Sequence, residues 1–432
     1  MIGKREAVLP ATDLVKQLTA GDPDFFRLSP QTLRATTLDK LYFDSDEKQI
    51  KECLNTFLQD VKYSLANKKT EDALIDDILR DDTPINATLY EVYSKNLRRA
   101  VDKVFYEDNG NGLSDCLRAN VSRFAAYKAY HATQQVREQI AKDGDMDRAR
   151  KVLHAFNRYQ AAEYNTAVSR CRTAKQFEEF SAADNMRLFP NLRWLSSRSA
   201  NPREQHMLFY NRVWAKDDPF WSQNQPGNLW NCKCDWEETA DPVTDGNPET
   251  PIRHDGLEGN PAHTGEIFSD NCAYVKSCSN TKKKKVIKTM NEVEWLRTKN
   301  DKEKRERFNN INCSCSIVGE NRDVKIISET YGEIAHAMAF SENHVLKNEG
   351  IERIPEWLKN AECIGRKESD TSHNTGKTKK LKERTDYFYY FKAKMYGKYD
   401  CYIHVGRYRE DKKLYLYTIA EGAPQDLEIP IW

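Results

Sequence analysis

Between Phe180 and Tyr274 the chain carries five tryptophans, Trp194, Trp214, Trp221, Trp230 and Trp236, on a stretch broken by Pro190, Pro202, Pro219 and Pro226 and showing little helical or strand periodicity. Rings of this size bury on the order of 150–250 Å² each and demand a shared interior. A segment so irregular cannot hold that interior by local propensity, so it needs a further constraint: a bound metal, a large aromatic cluster or a partner surface.

On the N-terminal side the pattern is helical. Leu54, Leu58, Val61 and Leu65, and again Leu89, Tyr93, Leu97, Ala100 and Val104, recur at helical spacing. Thr83 before Pro84 predicts a helix start, and Asn109–Gly112 a break. Helical periodicity returns from Asn120 through Arg137, stops near Gly144, and resumes from Asp147 to about Phe180. These helices form a bundle that packs on itself or on a neighbour.

On the C-terminal side, residues 282–310 hold eleven Lys and Arg against five acids, which predicts a charged linker. Beyond Cys313 the pattern mixes helix and strand. A short strand is expected over Asp323–Ile327, helices over Ser328–Phe340 and Ile354–Asn360, and a basic loop over Gly365–Arg384. A meander of three strands follows, over Tyr387–Tyr396, Tyr399–Arg409 and Lys413–Ala420. The expected fold is multidomain: an α-helical N-terminal region (1–115), a mostly α, irregular Trp-rich module (116–281), a basic linker (282–312), and a small α+β domain with an antiparallel sheet (313–432).

With 31% charged and 39% hydrophobic residues and a mean hydropathy of −0.81, the 432-residue chain is polar for a globular protein, yet 11% aromatic residues argue against wholesale disorder. No run is long and apolar enough for a membrane helix, and the first fifteen residues lack the apolar core of a secretory signal, so a cytoplasmic, soluble protein without membrane contact is expected. Eleven scattered cysteines fit reduced thiols. The net charge of +1 is unevenly placed: residues 282–432 hold thirty cations and twenty-four carboxylates, so any polyanion partner belongs to the C-terminal third.

His206, Cys232 and Cys234 offer three borderline or soft metal ligands, and His254, His263, Cys272 or Cys278 could supply a fourth. A structural zinc would hold the Trp-rich stretch in shape; no cofactor is otherwise required. Cys-x-Cys is tighter than the usual zinc spacing, and buried core cysteines beside a hydrogen-bonded histidine are the alternative. Trp214, Phe220, Trp221 and Trp230 read as core or interface anchors. Asp217 and Asp218 shape a turn before Pro219, with Arg203 as a candidate ion-pair partner for Asp218.

Several pieces of this region occur together in a known order: Ala162-Glu163-Tyr164-Asn165-Thr166-Ala167, the Arg203/His206 pair, Asp217-Asp218-Pro219-Phe220-Trp221, Pro226, and Trp230-Asn231-Cys232-Lys233-Cys234. In order and spacing they resemble the Mu F-like minor head (head morphogenesis) proteins of tailed phages and prophages. The resemblance covers about residues 118–240 and extends weakly through Gly259-Asn260-Pro261 and Thr264–Phe268. Lys233 stands where the family usually has arginine, which keeps the charge but not the bidentate fork. The resemblance implies a low-copy capsid-assembly protein at the portal, found in the virion and in the host cytoplasm during assembly. Its implied partners are portal and head proteins, with no small-molecule substrate.

In the terminal meander, alternation places Tyr389, Phe391, Ala393, Met395, Cys401, Ile403, Val405, Leu414 and Leu416 on the core face. The opposite face then carries Tyr390, Lys392, Lys394, Tyr402, His404, Tyr415 and Tyr417. Tyrosines interleaved with cations suit RNA or DNA, through base stacking and phosphate neutralisation. Tyr390, Lys394, Tyr402 and Tyr415 are the binding candidates. His404, Lys392, Arg407, His344 and Tyr417 are the catalytic candidates for metal-independent RNA cleavage, with Arg407 turned outward if Gly406 forms a bulge. His336 lies in an apolar helical run and reads as core. The helices, basic loop and meander, with His344-Val345-Leu346-Lys347 and Ile354–Ala361, are similar to barnase-like ribonuclease domains fused to some phage head proteins, over about 110 residues. Two functional readings follow: an assembly protein whose C-terminal domain meets nucleic acid, or a toxin that uses the head module to deliver a ribonuclease into host cells.

Overall fold

The computed structural model describes residues 68–106, 112–199, 202, 204–246, 248, 256–336, 342–370, 380 and 382–430. The helix expected around Leu54–Leu65 and the residues Arg203 and His254 lie outside them. The chain forms two compact units, one of the residues up to Val104 with Tyr127–Lys276, the other of Phe105–Ala126 with Ser277–Trp432. Among the described residues no helix is long and apolar enough to cross a membrane.

The first unit opens with α1 (Lys68–Arg80) and α2 (Ala87–Val104). Asn86, not Thr83, caps α2 by accepting from the Leu89 N–H at 3.0 Å, while Thr83 bonds Asp81 and the Ile85 carbonyl. Leu89, Tyr93, Leu97 and Ala100 are buried on one face of α2, as their spacing predicts. The long helix α3 (Gly112–Asp143) belongs to this unit from Tyr127 onward. It ends where Gly144 takes φ 68°, and Asp145 then caps α4 (Met146–Asn157) by accepting from the Asp147 and Arg148 N–H groups. A break at Arg158–Tyr159 precedes α5 (Gln160–Phe180), so the long helix expected from Asp147 is two. Fully buried Lys128 of α3 pairs with Glu163 of α5 at 2.5 Å beside the Tyr93 ring, an arrangement that breaking either partner would convert into an uncompensated buried charge.

After α6 (Ala183–Leu188) come β1 (Asn191–Leu195), α7 (Glu204–Met207), β2 (Val213–Ala215), α8 (Phe220–Gln223) and β3 (Asp235–Thr239). The three strands form an antiparallel sheet in the order β2-β1-β3. This sheet is absent from the expected, mostly α module, because strands of three and five residues are too short to show alternation. α9 (Pro261–Thr264) and α10 (Ala273–Lys276) close the unit. Arg170 of α5, fully buried, donates to Asn228 Oδ1 at 2.6 Å and to the carbonyls of Leu257 (2.8 Å), Glu258 (3.2 Å) and Gly259 (3.0 Å). Burial pulls its pKa down to about 9, so it remains charged at neutral pH and pins the loop entering α9.

In the second unit, the stretch expected as a linker is α11 (Asn280–Asn300) and α12 (Lys302–Asn309). Val286, Met290, Glu294 and Thr298 are buried at helical spacing, and Phe308 joins the unit's core; the many exposed lysines hide this stripe in the sequence. β4 (Cys313–Ile317), β5 (Glu320–Lys325), α13 (Ser328–His336), α14 (His344–Glu349), α15 (Ile354–Lys359), β6 (Glu362–Glu368), β7 (Thr385–Met395), β8 (Tyr399–Tyr408) and β9 (Leu414–Ala420) follow. The sheet is six-stranded in the order β4-β5-β9-β8-β7-β6 and mixed, since β5 and β9 run parallel, where an antiparallel sheet was expected. All nine residues assigned to the core face of the meander lie in the core cluster. Thr330 of α13 donates to the Leu416 carbonyl at 3.0 Å where β9 runs past the end of β5. Arg353 and the Tyr396 hydroxyl both reach Asp115 of α3, at 3.0 and 3.1 Å, which ties the early segment into this unit.

Candidate metal centre and sheet face

β1 places Trp194 in a buried cluster with Trp214, Trp221, Trp236, Phe177 and Phe209, where it stacks on Trp221 and meets Phe209. Trp214 stacks on Phe220 at 4.0 Å between centroids, and the Trp221 indole N–H donates to the Ala215 carbonyl at 2.8 Å. These rings are core, as expected for Trp214 and Trp221, whereas Trp230 is half-buried and stacks on Phe268. Asp218 caps the turn into α8 by accepting from the Phe220 N–H at 2.8 Å, the turn-shaping role anticipated for it.

Two segments converge on this core. α7 supplies His206, which is buried, and the turn into β3 supplies Cys232 and Cys234, both buried. The turn is fixed from α5: the Asn231 N–H donates to Thr166 Oγ1 at 2.9 Å, and Asn231 takes φ 59°, a conformation asparagine tolerates better than most residues. His206 Nδ1 lies 3.3 Å from Cys232 Sγ and 3.4 Å from Cys234 Sγ, and the ligand atoms of all three residues lie within 4.8 Å of one another. Ligands about 2.3 Å (sulfur) and 2.0 Å (nitrogen) from a tetrahedral zinc would stand roughly 3.5 Å apart, so the donor set and its spacing fit a metal ion. The Cys232 thiol is held well below its usual range by hydrogen bonds from Cys234 and then from His206, while Cys234 is pushed up beside it. Thus one thiolate is already favoured, as metal binding requires. The other ring nitrogen, Nε2 of His206, is buried with no hydrogen-bond partner among the described residues.

Of the fourth ligands considered, His263 packs edge-on against Phe177 at 4.9 Å and Cys272 lies beneath Gly256, where an added Cβ would come within 2.4 Å of the Cys272 Cβ. Neither joins the trio among the described residues, and Cys278 belongs to the second unit.

In the second unit the outer face divides. Lys392 and Lys394 are exposed, and Tyr402 is half-buried opposite Lys392. Tyr390 is only 7% exposed and meets the His404 ring edge-on at 4.6 Å; Phe388, 5% exposed, packs on Tyr417 at 4.8 Å. Burial lowers the pKa of His404 to about 4, so at neutral pH it is an uncharged imidazole able to accept but not to supply a second proton. Its Nε2 is buried with no hydrogen-bond partner among the described residues. Tyr417 occupies an irregularity in the β8–β9 ladder, because His404 pairs with Thr418 while Val405 pairs with Leu416. His344 is buried in α14, with Nε2 3.2 Å from Asn348 Nδ2 and its pKa lowered to about 3 by burial, so it is a core residue rather than an exposed acid or base.

Gly406 pairs regularly with Phe388, and the bulge sits on the other strand, between Thr385 and Tyr387. The extra residue, Asp386, lies 3.7 Å from Arg407 Nε, 3.7 Å from Arg409 and 2.8 Å from Lys412. Arg407 therefore faces a carboxylate at the end of the sheet. Tyr415 stacks on Tyr408 at 3.9 Å and donates to Asp411 at 2.8 Å. The grouping of Asp386, Arg407, Arg409 and Lys412 was not legible, since the sequence placed the bulge at Gly406 rather than at Asp386. No family model, curated protein or solved structure matches the chain.

Proposed function

We propose that the chain is a phage or prophage minor head protein that acts in capsid assembly at the portal, with a zinc ion held by His206, Cys232 and Cys234 stapling its Trp-rich module and a C-terminal unit that contacts nucleic acid. The observation that carries the reading is the convergence of that buried trio inside the aromatic core, on the segments through which the chain resembles the family. The zinc would supply a covalent-like clamp between α7 and the turn into β3 and no reaction chemistry; the protein's own residues do the positioning, through Thr166, Asn231 and the enclosing rings. Portal and head proteins are the partners proposed, and the virion its location.

Full-length protein purified without added metal is expected to hold one zinc per chain by elemental analysis and Cys232→Ser to hold none; sub-stoichiometric zinc in the wild type would count against the staple. Separately, proteomics of purified particles and of assembling proheads should find the polypeptide, and its absence from both would end the head-protein reading. Binding of RNA is favoured over cleavage, because the neutral, enclosed His404 and the buried His344 are poorly placed to shuttle protons at pH 7. Growth arrest and RNA fragmentation on expressing the full chain, relieved by His404→Ala or Lys392→Ala, would restore the toxin reading.

A further inference from the structure

The end of the second unit's sheet, where β7 begins and the β8–β9 turn lies, brings cations and stacked tyrosines together. Asp386, 9% exposed, is bulged out of the ladder and gathers Arg407, Arg409 and Lys412 around a single carboxylate. Three cations on one anion repel one another and leave positive charge unneutralised. The side chains of Arg409 and Lys412 remain 53% and 55% exposed, so their outward N–H groups are open to a ligand. The Arg409 N–H donates to the Arg384 carbonyl at 2.8 Å and its Nε to the Glu383 carbonyl at 3.2 Å, which fixes this arginine against the segment entering β7. Across Lys382–Asp386, Arg407–Lys413 and the adjoining Lys325, seven cations face four carboxylates.

Aromatic surface lies in the same place. Tyr408 and Tyr415 stack at 3.9 Å and 20°, both are half-buried, and the Arg384 guanidinium lies 5.8 Å from the Tyr408 ring. The Asp411 carboxylate anchors the Tyr415 hydroxyl and so sets the orientation of the stack. By contrast, the middle of the outer face offers exposed lysines and the half-buried Tyr402, but its Phe388 and Tyr390 rings are buried and no stacked pair of tyrosines lies beside the lysines among the described residues. A base needs an accessible ring, and phosphates need cations whose mutual repulsion they relieve.

We propose that the second unit grips a single-stranded nucleic acid at this end of its sheet, with Arg409 and Lys412 on the phosphates and the Tyr408–Tyr415 stack receiving a base. The proposal rests on the nucleic-acid reading above and moves its site. Asp386 is then a positioning residue, whose bulge holds the phosphate-binding cations in one group.

The test is anisotropy of a labelled twelve-nucleotide uridine strand on the full-length chain, across a salt series, alongside an abasic strand of equal length and polyglutamate. Arg409→Gln with Lys412→Gln should weaken uridine binding about tenfold and reduce the slope of log affinity against log salt by about 1.4, or 0.7 for each lost phosphate contact. Tyr408→Leu should cost about tenfold on the uridine strand and leave the abasic strand unchanged. Lys392→Gln with Lys394→Gln should stay within twofold of wild type, and thermal melts of each variant should match the parent. If the Lys392/Lys394 variant loses binding while the Arg409/Lys412 variant keeps it, this site is wrong and the nucleic-acid reading survives. If wild type binds the uridine strand no better than the abasic strand or polyglutamate, the nucleic-acid reading itself fails and this site falls with it.

Discussion

His404 and His344 put the same ring into surroundings that solvate its charged form poorly, and both lose basicity, to about 4 and about 3 against an ordinary value of 6.5. Because each folded-state value is depressed, the unfolded chain takes up the proton first as pH falls. The stabilisation is complete above pH 6.5 and drains away as pH drops toward the folded-state values. Between pH 7.5 and 5 each histidine should cost the native state roughly 2 kcal/mol. Urea midpoints at those two pH values check this. The His344→Gln/His404→Gln double variant should show a markedly flatter pH dependence than wild type, and an unchanged slope would refute the assignment. At this scale the sequence was informative about identity and poor about environment. His206, Cys232 and Cys234 were recognisable as ligand types, and their spacing in space is now 3.3–3.4 Å from Nδ1 to each sulfur. The burial of His344 was not legible, because a helix of six residues that is buried all round carries no amphipathic signal.

At the level of elements, the meander of β7, β8 and β9 was readable within two residues at each end, since period-two alternation and the turns after Met395 and Tyr408 mark it. β4 escaped notice because Cys-Ser-Cys-Ser alternates between thiols, which bury like apolar groups, and hydroxyls, which read as loop. β6 escaped because only Gly365 of its seven residues is buried. The basic helices α11 and α12 matter for any attempt to isolate the terminal unit. Phe308 is fully buried in its core, the Tyr331 hydroxyl donates to the Thr298 carbonyl at 2.9 Å, and Arg297 pairs with Glu349 at 2.9 Å. Removing a buried Phe alone costs about 3–5 kcal/mol. A fragment of residues 313–432 is therefore expected to show no cooperative thermal transition by circular dichroism, whereas the full chain keeps the transition of the second unit; cooperative melting of the fragment would show α11 and α12 to be dispensable.

For the whole molecule, two compact units predict two calorimetric transitions. Stripping metal with a strong chelator should lower one of them by on the order of 10 °C and leave the other in place, with His206→Ala imitating the chelator in its absence. No movement of either transition would remove the staple. The changes of pattern near Phe180 and at Cys313 fall inside the two units, and the assignment of Phe105–Ala126 to the later unit was not legible, because α3 continues without interruption past Ala126. That discontinuity has a consequence for synthesis. Asp115 leaves the ribosome 238 residues before Arg353 and 281 before Tyr396, its two distant partners. At about 5–20 residues per second it waits roughly 12–50 s for the first of them. Through that interval the nascent helix lacks its distant partners, so the soluble yield of this protein is expected to respond to translation speed and chaperone supply.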